Sequence, residues 1–225
     1  MSANWGNNIE LSLFGESHGK AIGIVIGNLP AGVALDMDEI RWQMKRRAPG
    51  QNKMSTPRVE KDEVQIMSGL LDGVTTGAPL CAMIENSDQH SKDYSLLKEC
   101  MRPGHSDYPA YVKYQGYNDV RGGGHFSGRL TAPIVFAGSV AKQILRQKGI
   151  VVGAHIQSIK DVYDDSFGVD ITCADLQQLT KQQYPTLNSD VFLKMQNVIE
   201  DARMKQDSVG GTIECAIINV PAGLG

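Results

Sequence analysis

Ile9, Leu11 and Leu13 alternate with polar neighbours, and Ile22, Ile24 and Ile26 repeat the alternation, which predicts two strands joined by a turn over residues 15–20. The period then lengthens. Met37, Ile40 and Met44 stand three and four apart behind Asp36 and Glu39, a capping-box pattern that predicts a helix over 37–47, ended by Pro49-Gly50. Residues 64–71 and 79–84 read as strands of a hairpin that turns across Asp72-Gly73 and Thr75-Thr76-Gly77. Tyr108, Tyr111, Tyr114 and Tyr117 recur every three residues, which puts them near one helical face, to pack on a sheet or a neighbouring subunit. Leu130, Ile134, Val140, Ala141, Ile144 and Leu145, followed by Gly149, predict a long apolar helix over 130–148.

A strand over 150–156, helices over 174–183 and 190–205 (the second capped by Ser189), and a strand over 212–220 complete the pattern. His155 alternates with apolar residues on its strand and reads as structural. The last strand has no evident partner to follow it, so the chain reads as part of a longer one. Strands and helices mixed with hairpins predict α/β or α+β layers with antiparallel pairing.

One stretch organises the rest: Arg121-Gly122-Gly123-Gly124-His125-Phe126-Ser127-Gly128-Arg129, which runs straight into the long apolar helix with Ser127 as a candidate N-cap. Three consecutive glycines remove every Cβ, so the backbone can take positive φ and its N–H groups can approach an anion. Arg121, His125 and Arg129 rim it with charge. The spacing departs from the dinucleotide fingerprint, because Ser127 stands where a third glycine belongs, and so the turn points to phosphate or flavin ahead of nicotinamide.

Composition adds limits. The chain has 225 residues, 41% hydrophobic and 21% charged, enough for one large domain or two closely packed lobes. A net charge of −3 and a pI of about 5.9 predict no general affinity for nucleic acid or anionic membrane, so any cationic site is local. Cys81, Cys100, Cys173 and Cys215 are scattered without a Cys-x-x-Cys pair, which predicts neither a zinc site nor a disulfide framework and fits a reduced, cytoplasmic setting. Residues 1–10 are polar, and no run approaches the roughly 18 apolar residues of a membrane span.

Three further clusters carry candidate chemistry. Gly15-Glu16-Ser17-His18-Gly19 matches the Gly-x-Ser-x-Gly of a hydrolase elbow with Ser17 as nucleophile, but the residues after it alternate like a strand where the elbow needs a helix. Lys45, Arg46, Arg47, Lys53 and Arg58 place five cations within fourteen residues, more than a helix C-terminus needs, and suggest an anionic ligand. Arg102-Pro103-Gly104-His105-Ser106-Asp107-Tyr108-Pro109 fixes a histidine and an arginine in a loop stiffened by two prolines.

Gly-Glu-Ser-His-Gly, Arg-Pro-Gly-His and the triple-glycine stretch, together with Thr75-Thr76-Gly77-Ala78-Pro79, Asp207-Ser208-Val209-Gly210-Gly211 and Val220-Pro221-Ala222-Gly223-Leu224-Gly225, resemble chorismate synthase in order and separation over nearly the whole chain. The resemblance implies an α+β layered sandwich, long helices packed between antiparallel sheets, forming a single domain of which residues 1–225 are the N-terminal part, in a cytoplasmic homotetramer. It implies a lyase that converts 5-enolpyruvylshikimate 3-phosphate to chorismate and phosphate by 1,4-elimination, with reduced FMN required and NADPH as a candidate reductant. The alternatives are a flavin- or phosphate-binding fragment without catalysis and a serine hydrolase using Ser17.

Carried over by position, His18 is the acid assisting the leaving phosphate and His105 the group stabilising anionic reduced flavin. His125, Phe126 and Ser127 fall on FMN contacts, and Arg102, Ser127 and Arg129 on substrate contacts. Arg47 and Lys53 match positions for a nicotinamide or substrate phosphate. His125-Phe126 stands where many members have Arg-Ser, and Ala48 and Lys53 each replace an arginine.

Overall fold

The computed structural model describes residues 3–50, 60, 62–87, 97 and 99–224. The chain divides into two units, the boundary falling after Ala141 within a long helix.

The first unit is built on a five-stranded sheet. Its strands are β1 (Asn4–Gly6), β2 (Glu10–Gly15), β3 (Ala21–Gly27), β4 (Val64–Ser68) and β7 (Leu80–Glu85), in the order β1-β2-β3-β7-β4 with every neighbour antiparallel. The alternation of Ile22, Ile24 and Ile26 buries all three, and Leu80, Ala82 and Ile84 continue the same apolar layer on β7. Each such aliphatic side chain contributes about 1.5–3 kcal/mol on burial. Helix α1 (Met37–Arg47) has its predicted bounds. The Asp36 carboxylate accepts from the N–H groups of Asp38 and Glu39, and Ile40 and Met44 are its buried stripe.

The predicted strand over 64–71 is divided. Gly69 has φ +83°, and a Cβ there would stand 2.5 Å from Leu80 Cα, so the chain breaks from β7 at that glycine. Beyond it β5 (Leu70–Leu71) and β6 (Val74–Thr75) form a separate small hairpin across Asp72-Gly73. Helix α2 (Asp107–Tyr114) incorporates Pro109 in its first turn, and Tyr108, Tyr111 and Tyr117 are exposed on it or just after it. Ser127 does act as a cap: its Oγ accepts from Arg129 N at 3.3 Å, closing a 3₁₀ turn over Gly128–Leu130 before α3 (Thr131–Gln147) begins.

In the second unit β8 (Val151–Ile159) lies between β9 (Val162–Tyr163) and β10 (Gly211–Ile218), both antiparallel to it. The last strand therefore finds its partner in β8, which precedes it by two helices. Helix α4 (Cys173–Lys181) packs on β8 through Leu176 and carries a complete capping box between Thr172 and Asp175. Helix α5 (Ser189–Met204) is capped by Asn188, whose side chain accepts from Asp190 N, so Ser189 is the first helical residue and not the cap. The architecture is α+β with antiparallel pairing, as the pattern predicts. No helix among the described residues is long and apolar enough to cross a membrane.

Candidate active site

Gly122, Gly123 and Gly124 adopt φ of +57°, +85° and +54°. A Cβ at Gly122 would stand 2.1 Å from His18 Nδ1, and one at Gly123 would stand 2.4 Å from His105 Cε1. Two consecutive glycines thus let one backbone lie directly against two imidazole rings that are 87 positions apart in the chain (105 − 18). Further bonds tie the turn down. Ser17 N donates to Gly124 O at 3.1 Å, and His125 Nδ1 lies 2.9 Å from Gly15 O. The three glycine-anchored clusters therefore converge.

The two histidines differ in access. His18 is 5% exposed, whereas the His105 side chain is 27% exposed. Ser17, beside His18, is buried in a turn between antiparallel β2 and β3. A nucleophile elbow needs a strand, a sharp turn and then a helix. The hairpin gives Ser17 none of that support.

Arg47, Arg102, Arg121 and Arg129 are each paired with a carboxylate. Arg102 grips Asp107 with two parallel bonds, Nε to Oδ2 at 2.8 Å and Nη2 to Oδ1 at 2.9 Å. The Arg102 bonds, partly opposed by burial, hold the Asp107 carboxyl down at about 2, so it is ionised at neutral pH. Asp107 Oδ1 also lies 2.8 Å from His105 Nδ1, without the alignment of a hydrogen bond. Arg121 is gripped by Asp119 in the same forked way, and its bonds push Asp119 down. Glu16, hydrogen-bonded to Asp119, is pushed up by burial and then by the Asp119 charge.

Arg47 and Arg129 share one partner. Arg47 Nη1 donates to Asp62 Oδ2 at 2.7 Å, Arg129 Nη1 donates to Asp62 Oδ1, and Arg129 Nη2 is 3.6 Å from Glu60 Oε2. Arg129 is 5% exposed, so the predicted substrate cation is enclosed by protein acids. Arg46, from the same cationic cluster, donates to Gln43 at 2.7 Å. Lys53 and Arg58 lie outside the described residues.

Beside the glycine turn lies a cavity of about 630 Å³, lined by Glu16, Lys20, Tyr114, Tyr117, His125 and Phe126 among others. Tyr114 and Phe126 meet at a ring separation of 6.0 Å. Their faces suit a planar aromatic ring, and the polar lining mixes Lys20 and His125 with the acids Glu16 and Asp119, so it is the aromatic wall that fits a flavin. His125 and Phe126 line this cavity, whereas Ser127 spends its hydroxyl on the cap.

Sequence reasoning did not single out Glu60, Asp62, Asn86, Asp107 and Asp119. Asp107 was within reach, since it closes the loop that holds Arg102 and His105. Asp119, two residues before Arg121, was also local, whereas Glu60, Asp62 and Asn86 had no local signal.

The chain matches the family model described as chorismate synthase over residues 9–225. It is 45% identical to the chorismate synthase of Thermococcus gammatolerans over 221 residues, which cover 98% of this chain and 60% of that protein. It is 42% identical to the chorismate synthase of Flavobacterium psychrophilum over 226 residues, covering 100% of this chain and 62% of the relative. A crystal structure of chorismate synthase superposes with a TM-score of 0.71 at 25% identity, over 96% of this chain and 59% of that one. This chain thus spans about 60% of the length of the curated relatives that it matches.

Proposed function

This chain belongs to the chorismate synthase family, and from that premise we propose that it carries the proton-donating and anion-holding part of a lyase acting on 5-enolpyruvylshikimate 3-phosphate. The reaction is a 1,4-elimination that releases phosphate and forms chorismate. The observation that carries the reading is the contact of Gly122 with His18 and of Gly123 with His105, which sets two imidazoles against one anion-suited turn.

His18 holds the proton that neutralises the departing phosphate. An imidazole suits that task, because its unperturbed pKa of about 6.5 allows both protonation states near neutral pH. Burial strengthens its charge interactions. Asp107, fixed as a carboxylate by Arg102, lies 2.8 Å from His105 Nδ1 and flanks the ring that packs on Gly123. Arg102, 37% exposed at its side chain, meets a phosphate or carboxylate of the substrate, and Arg129, though paired with Asp62 and Glu60, is the substrate cation next to Ser127, with Arg47 donating to Gly128 O.

His125 and Phe126 would hold FMN, with Tyr114 extending the aromatic wall, and His105 would act from beside Gly123 of the same turn. Reduced flavin would supply an electron-rich ring to a reaction with no net redox change. NADPH as its reductant rests on Arg47 and Lys53, and the engagement of Arg47 by Asp62 gives that assignment less support than the flavin has. The exposed Tyr108, Tyr111 and Val112 of α2 support a contact between subunits of a homotetramer.

The experiment is anaerobic turnover with reduced FMN and 5-enolpyruvylshikimate 3-phosphate, read as chorismate formed by the intact protein. Chorismate is the expected product. The second reading is binding of flavin and phosphate without turnover. FMN binding by folded protein with no chorismate would select it.

A further inference from the structure

We infer that Asn86 is a positioning residue that registers the His18 turn against Arg129; the inference rests on the roles proposed above for those two residues. Asn86 follows β7 directly and is 9% exposed. Its Nδ2 donates to Glu16 O at 3.0 Å and to Gly19 O at 2.8 Å, the two carbonyls that bracket Ser17 and His18. Its Oδ1 accepts from Arg129 Nε at 3.0 Å, and its own N–H donates to Lys20 O at 3.1 Å.

The orientation of the amide follows from its partners. Reversed, the NH₂ would face the guanidinium N–H and the oxygen would face two carbonyls, so all three contacts would become repulsive. A side chain with one acceptor and two donors is needed at this point, and among residues of this size only Asn supplies both. The local turn agrees: Gly19 N donates back to Glu16 O at 3.0 Å, so Asn86 clamps a turn already closed on itself.

Arg129 is fixed from its other side by Asp62 and Glu60, and Asp62 also holds Arg47. The relay therefore runs from the C-terminal turn of α1 through Asp62, Arg129 and Asn86 to the backbone on both sides of His18. Positions separated by 43 and 67 residues are locked into one array of directed bonds. A leaving phosphate must meet its proton donor and its cation together, and a misplacement of about 1 Å can cost about a hundredfold in rate.

The two halves of the amide can be tested separately in the intact protein, by the Kd for 5-enolpyruvylshikimate 3-phosphate, the single-turnover rate with reduced FMN, and the Tm. Asn86→Asp keeps the acceptor for Arg129 and removes both donors. It should leave Kd within about twofold and lower the rate about ten- to a hundredfold. Asn86→Ala removes both functions and should lower the rate as far while also raising Kd about tenfold.

A residue that merely filled space would move Kd, rate and Tm together in both variants. That outcome would overturn the inference, as would wild-type rates in folded Asn86→Asp, or failure of both variants to fold. His18→Ala and Arg129→Ala run alongside. If those two leave rate and Kd unchanged, the parent roles have failed and this inference falls with them. If they act and the Asn86 variants do not, only this inference has failed.

Discussion

Two histidine settings in this molecule have opposite designs. His155, on β8, is fully buried, with Nδ1 3.2 Å from Asp164 and Nε2 2.8 Å from Glu214, and the Phe167 ring packs edge-on at 4.5 Å. Both nitrogens and one face are taken up. Asp164 in turn accepts from the N–H groups of Leu187 and Asn188, so the cluster staples the segment before α5 to the sheet. His18 and His105 instead lie against backbone without side chains, at Gly122 and Gly123. A histidine closed in by side chains is committed to structure. The two set against the glycine turn touch backbone where any other residue would place a Cβ.

The largest effect that would break this contrast is on turnover. His18→Ala and His105→Ala, in the intact protein with saturating reduced FMN, should each lower the rate by about 10- to 10⁴-fold, with binding of substrate less affected. An equal loss from His155→Ala at unchanged Tm would remove the site from the glycine turn.

Gly122→Ala sharpens the same point without touching a histidine. Its Cβ would fall 2.1 Å from His18 Nδ1 at a φ of +57°, so the ring or the turn must move. The rate should fall about a hundredfold, alongside a destabilisation of about 1–3 kcal/mol. Gly73→Ala, at a φ of +77° but in open space, is the control that isolates the contact from the backbone strain.

For His155→Ala the expected order is reversed. Removing a ring that bonds two carboxylates should lower stability by about 1–3 kcal/mol in thermal unfolding and leave turnover per folded molecule unchanged.

The smallest effect is on acid stability. Asp107 is held at about 2 in the folded protein against an ordinary 3.8, and the His155 and Phe167 hydrogen bonds also depress Glu214. A carboxyl depressed by folding binds fewer protons in the native state, so its contribution is present above its unfolded pKa. It is lost as pH falls, for Asp107 from about 4 toward 2. Arg102→Gln should flatten that part of an acid-unfolding curve. Glu214→Gln should alter a separate segment of it, in the unit that contains His155.

Which acids Arg47 and Arg129 would meet was decided only by folding. The sequence determined features that depend on neighbours in the chain. Asp36 caps α1 because its carboxylate reaches N–H groups two and three residues on, and residues 122–124 turn with positive φ because no Cβ forbids it. The family motifs were legible for the same reason: they are short strings around glycines. Asn188 displaced Ser189 as a cap by a single residue, within the range where two good caps compete locally.

Arg129 finds Asp62 and Asn86 at separations of 67 and 43 residues, and β10 finds β8 across two helices. No periodicity encodes those meetings. The Asn86 and Asp62 meetings follow from the antiparallel order β3-β7-β4, which puts the end of β7 beside the starts of β3 and β4 in the first sheet. Burial then requires each guanidinium that it encloses to find an acceptor. The five-cation run looked in sequence like an open anion site, and of its described members Arg47 is occupied by Asp62 and Arg46 by Gln43. The sequence supplied the charges, and the tertiary structure decided which of them were already answered, because a buried charge is satisfied by whatever the fold places within reach.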